Sequence, residues 1–135
     1  MIYSESLPEG ATLLLTALSE RTVEQDRVWR ESVTRLGVQA LGQLATRNRV
    51  THAVGHALGD LAGPDWSHEV QQNTARVEAL LSLASEASEA LQAAGIESAF
   101  FESGGVLCAS QLPLGAFGSS DVDLLVSPER WHAAL

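Results

Sequence analysis

The stretch Ser120-Asp121-Val122-Asp123-Leu124-Leu125-Val126 alternates acid with aliphatic and then turns wholly apolar. A period of two predicts a strand over 121–126 that leaves the edge of a core. Residues two apart on a strand project from one face, so the carboxylates of Asp121 and Asp123 would emerge together, roughly 6 to 7 Å apart at the backbone. Val122 and Leu124 then point the other way, into the core, and hold the acids in place. Paired carboxylates of this kind suit Mg²⁺, a hard cation that takes oxygen ligands and shares its shell with phosphates. Two such ions about 3.5 to 4 Å apart would stabilise the attacking and leaving oxygens of phosphoryl or nucleotidyl transfer. A solvated strand edge would show the same Asp-x-Asp spacing with no chemistry attached.

Working backwards, Pro113 to Ser120 holds proline, two glycines and two serines and reads as a loop. Val106 to Leu112 fits one or two helical turns, and Ser103-Gly104-Gly105 breaks the chain before them. Ahead of that break, the short run from Ile96 to Glu102, with Phe100 and Phe101, predicts a buried strand. Glycines between a strand and a helix let backbone approach a ligand closely, and N–H groups at a helix start attract phosphate. An ordinary strand-to-helix turn would use them equally well. Glu102 precedes the glycines directly and reads as a solvent-facing strand end. After the acidic strand, Ser127-Pro128 offers an N-cap with proline at the first helical position.

The first two thirds of the chain read as helix. Ser6 with Glu9 has the form of a capping box and opens a segment bearing Leu13, Leu14 and Leu18. Thr22 with Gln25 repeats the signal, and Trp29, Val33, Leu36, Ala40 and Leu44 then recur as one continuous stripe. A third stripe, Val50, Val54, Ala57 and Leu61, ends at Gly63-Pro64. From Ser67 as N-cap, the longest stripe runs through Val70, Val77, Leu80, Leu81, Ala84, Ala87 and Leu91 to a C-terminal cap at Gly95. This is a bundle of about four helices. Trp29 and Trp131 fit packing faces, while Trp66 covers a bundle end. His52 and His56, four apart, lack a third ligand at a recognisable spacing and read as a polar flank.

Strand, Gly-Gly turn, short helix, loop and the Asp-x-Asp strand together resemble the nucleotidyltransferase superfamily to which polymerase beta-like enzymes belong. The sequence is more closely similar to a branch of uncharacterised bacterial nucleotidyltransferases with an N-terminal helical region. In that branch the helices end in a Gly-Ile turn, here Gly95-Ile96, and the strand continues into Ser-Pro-Glu, here residues 127 to 129. The likeness extends over essentially all 135 residues, with its specific motifs between 103 and 129.

That resemblance implies an α+β fold: an N-terminal helical bundle, residues 1–66, followed over 67–135 by a long helix and a partial nucleotidyltransferase-like core with a small sheet. It implies Mg²⁺-dependent transfer of a nucleoside monophosphate from a nucleoside triphosphate to a small-molecule or protein acceptor. Asp121 and Asp123 would be the catalytic, metal-binding pair, and Ser103, Gly104, Gly105 and Ser120 would meet the nucleotide. The branch usually carries lysine where Ser103 stands, and an arginine within the stretch occupied by Ala116 to Ser120. Its third carboxylate comes from a later strand, so the chain is expected to be the N-terminal part of the unit or to be completed by another copy. The competing expectation is a binding or assembly module that keeps a degenerate fold without catalysis.

Composition narrows the partners. Seventeen acidic residues against eight basic ones give a net charge of −9, which repels the phosphate backbone of long nucleic acid. Uninterrupted apolar runs span only a few residues, far short of the roughly 20 needed to cross a bilayer. The single cysteine, Cys108, cannot form an internal disulfide and reads as a small core residue. Without a basic, apolar leader at the N-terminus, a cytoplasmic location is expected.

Overall fold

A computed structural model of the chain describes residues 6–101 and 111–135. It is mainly helical, with one small antiparallel sheet, as the α+β reading expects. The helices are α1 (Ser6–Leu15), α2 (Val23–Leu36), α3 (Val38–Arg47), α4 (Thr51–Leu58) and α5 (Pro64–Ala93). Strand β1 (Ser98–Phe101) pairs with β2 (Asp123–Val126), and a one-turn helix, Trp131–Ala134, closes the chain.

Helices α1 to α4 close on one core of Leu13, Ala17, Trp29, Val33, Leu41, Ala45, Val54, Leu58 and Ala62. The second of them starts where the capping signal lies. Thr22 Oγ1 accepts from the Gln25 N–H at 3.2 Å, and Gln25 Oε1 accepts from the Thr22 N–H at 2.9 Å. The corresponding side chain of Ser6 lies outside the described residues. Trp29, buried at the centre, donates its indole N–H to the Leu13 carbonyl at 3.3 Å. Arg21 lies over the same ring, 4.5 Å from its centre, and donates to the carbonyls of Thr16 and Ala17 just beyond α1. The guanidinium also begins a chain of ion pairs, Arg21–Asp26–Arg30–Asp60, which joins the end of α1 to α2 and to the turn after α4.

Three helical boundaries differ from the reading of the sequence. The stripe from Trp29 to Leu44 is two helices, because Gly37 adopts φ 93°, a conformation that ends α2 and re-aims α3. After the break the core positions are Leu41 and Ala45, while Ala40 is exposed. Helix α4 stops at Leu58 and a 3₁₀ turn, Gly59–Ala62, carries Leu61. Ser67 is not an N-cap: α5 already begins at Pro64, whose fixed φ and missing N–H suit the first helical position. The 66/67 division therefore falls within the first turn of one helix.

Helix α5 is 30 residues long and ends as the Gly95 signal predicts. Gly95, at φ 72°, donates to Gln92 O at 2.9 Å, and Ile96 donates to Leu91 O at 2.8 Å, which is a Schellman cap. Ile96 is buried behind the cap and launches β1. The register is Ser98↔Val126, Ala99↔Leu125, Phe100↔Leu124 and Phe101↔Asp123. Ser98, Phe100, Leu124 and Val126 are half-buried, and β1 packs on α5; Ala99, Phe101, Asp123 and Leu125 form the exposed face. Trp131, expected on a packing face, is 52% exposed because its helix is a single turn at the rim.

No helix among the described residues is long and apolar enough to cross a membrane.

Candidate active site

The acidic strand is positioned from α5. Within the stripe Val70–Asn73–Val77 the middle residue is polar yet only 2% exposed. Asn73 Nδ2 donates to the carbonyls of Phe117 at 2.8 Å and Gly115 at 3.2 Å, while its Oδ1 accepts from Arg76 at 2.6 Å. Burying an amide costs free energy unless its hydrogen bonds are made, and here both ends of the side chain find partners. The carbonyls belong to a loop that sequence alone leaves shapeless. It contains a 3₁₀ turn, Leu114–Ala116, wedged against α4 and α5 with Gly115 and Ala116 buried. Gly115 sits so close to Thr74 that a Cβ there would overlap the Thr74 hydroxyl. At Gly118 a Cβ would come within 3.3 Å of the His52 imidazole. His52, half-buried, also lies 3.7 Å from the Glu69 carboxylate. The loop is therefore clamped between the two helices.

From this clamp the chain passes to the acids. The Ser119 hydroxyl donates to the Asp121 carbonyl at 2.7 Å and steadies the backbone at the start of the pair. The ladder begins at Asp123, opposite Phe101, and not at Asp121 as the alternation suggests. The positions that would pair with Val122 and Asp121 are 102 and 103, outside the described residues. Exposure nevertheless alternates from 121 to 126: Asp121, Asp123 and Leu125 are exposed, whereas Val122, Leu124 and Val126 are half-buried. Both aspartates are thus exposed, Asp123 on the strand and Asp121 two residues before it, and neither enters an ion pair among the described residues. Ser120 is exposed at the bend just before them.

Two exposed carboxylates offer hard oxygen donors of the kind Mg²⁺ takes, so the donor chemistry fits that ion. Among the described residues no third His, Cys, Asp or Glu joins them; further ligands would come from phosphate oxygens or from carboxylates elsewhere. Ser103, Gly104 and Gly105, with Glu102, Cys108 and residues 106–110 of the expected helical turns, lie outside the described residues, while Gln111 and Leu112, the end of those turns, are not helical. What is described is where the chain enters that segment: from Phe101, the residue paired with Asp123.

Asn73, Thr74, His52 and Gly118 did not emerge as site residues from the sequence. A signal existed for one of them, because an asparagine at a core position of a helical stripe is either an error of register or a buried anchor. His52 reads as a polar flank, yet it is half-buried beside Gly118, a contact that depends on a loop path with no periodicity to reveal it. Comparison with protein-family models, with curated proteins and with solved structures finds no match for this chain.

Proposed function

We propose that the chain contributes the acidic half of a nucleotidyltransferase site of the polymerase beta-like superfamily. Its reaction would be Mg²⁺-dependent transfer of a nucleoside monophosphate from a nucleoside triphosphate to a small-molecule or protein acceptor. One observation supports the reading: Asp121 and Asp123 are both exposed, and Asp123 pairs with Phe101, the residue from which the chain enters the glycine segment. Asp121 and Asp123 would hold the ion, which when bound offsets phosphate charge during displacement. The chain's own part is positional. Val122 and Leu124 seat the strand, Ser119 fixes the Asp121 backbone, and Asn73 holds the preceding loop on α5. Ser120 and the Ser103-Gly104-Gly105 turn would supply hydrogen-bond donors to the phosphates.

Ser103 in place of a lysine favours a second reading, a binding or assembly module that retains the site's shape without catalysis. A serine donates a hydrogen bond but leaves phosphate charge unneutralised. Melting temperature measured with Mg²⁺ and each nucleoside triphosphate addresses both. Binding should raise it by mass action, and Asp121→Asn/Asp123→Asn should abolish the rise. An equal rise in the double variant, or none with any nucleotide, refutes nucleotide binding at these acids. Binding without label transfer from an α-labelled nucleotide supports the module.

A further inference from the structure

The exposed face of the ribbon holds more than acid. Residues directly opposite in an antiparallel pair project on the same side, with Cβ atoms about 4.5 to 5.5 Å apart. Phe101 is therefore the immediate neighbour of Asp123 on that face, and it is 46% exposed. Leu125, two residues along β2 and 53% exposed, extends the apolar surface by roughly 7 Å. Ala99 lies across from Leu125 and adds no bulk that would cover either. On this face the aromatic ring stands beside Asp123, and Leu125 follows one step further along the ribbon. Phe101 and Leu125 are neighbours on this face, and the ring adjoins Asp123 instead of sitting at the far end.

We propose that Phe101, backed by Leu125, is the platform on which the base of the nucleoside triphosphate stacks when its phosphates lie at Asp121 and Asp123. The proposal rests on the reading of the acids given above. It commits to a base because an ion held by the acids would bring the phosphates to Asp123, and the ring paired with Asp123 is the aromatic surface next to them. Stacking on a single ring accepts any base, so recognition is broad and strengthens with the base's π-surface, purines ahead of pyrimidines.

Affinities of the 135-residue chain for ATP and for inorganic tripolyphosphate, each with Mg²⁺, separate the two ideas by calorimetry. In the unaltered chain ATP should bind more tightly than tripolyphosphate. Phe101→Leu should weaken ATP by roughly 5- to 150-fold and leave tripolyphosphate unchanged. Phe101→Tyr, which keeps the ring, should retain ATP affinity. Equal affinities for the two ligands in the unaltered chain would overturn the platform while leaving the acidic site standing. So would a Phe101→Leu variant that loses both ligands alike, or neither. Failure of the unaltered chain to bind either ligand would overturn the acidic site and the platform with it. Because Phe101 is half in solvent, its replacement should leave the helical core folded, which an unchanged melting temperature without ligand would verify.

Discussion

Replacing Asn73 with alanine should be the most damaging single polar substitution among the described residues. It removes two donors from the carbonyls of Gly115 and Phe117 and an acceptor from Arg76. Each net hydrogen bond is worth about 0.5 to 1.5 kcal/mol, and a buried carbonyl left without a partner costs about 1 to 3 kcal/mol. Arg76 is exposed and regains water, so its bond counts least. Gly115 is buried and its carbonyl has little access to water, so it counts most. The total comes to about 2 to 4 kcal/mol, a large share of the 5 to 15 kcal/mol typical of a domain. Urea unfolding followed by tryptophan fluorescence should show a midpoint lower by on the order of 1 to 2 M. Amide exchange should accelerate first at 115–119, because the loop's clamp is lost before the helices are. A change below about 0.5 kcal/mol, or a full loss with loop protection intact, would refute the anchoring argument.

Two other perturbations test separate parts of the fold. Gly55→Ala places a methyl against the Trp66 indole and 2.7 Å from Val70, and the ring cannot swing away without breaking its 3.1 Å bond to the Thr51 carbonyl; the expected cost is about 1 to 3 kcal/mol, read as a lower melting temperature, and an unchanged value would show that α4 and α5 separate freely. Arg30 and then Arg21, hydrogen-bonded to Asp26, hold its carboxyl below the ordinary aspartate range. A carboxyl depressed in the folded state adds stability that is present above its unfolded pKa and lost as pH falls through the folded value. The melting temperature should therefore drop on acidification below about pH 4, and Asp26→Asn should flatten that drop; the effect should shrink in high salt because the group is exposed.

How much of this could be read from residues alone varied with whether a local rule or a distant neighbour decides the outcome. The Thr22–Gln25 box and the Gly95 cap are local, closed by bonds three to five residues apart, and both appear where their residue types call for them. Gly37 shows the opposite case. Its neighbours keep a helical apolar period, and only the positive φ, imposed by the need to fold α3 back onto the core, reveals the break. Pro64 signals both a stop and a start: it ends the preceding segment and is the first residue of α5. At the site, the alternation of exposed and half-buried residues from 121 to 126 is legible in the acid–aliphatic pattern, although the paired strand itself starts only at Asp123. The clamp that positions them joins residues more than forty apart, Asn73 to Phe117, and no periodicity encodes it.

The loop and the ribbon are both fastened to α5, one at Asn73 and the other through the Gly95–Ile96 cap, where Arg130 also reaches the Ala94 carbonyl at 3.4 Å. Each residue of an α-helix turns its continuation by about 100° and advances it about 1.5 Å. A single insertion or deletion between positions 73 and 95 would therefore swing the launch point of β1 by more than a quarter turn relative to the loop's anchor. The chain cannot satisfy both attachments after such a change. This rod is thus length-locked: substitutions on its solvent side are tolerable, whereas a one-residue change in its length would have to break either the anchor or the strand pairing.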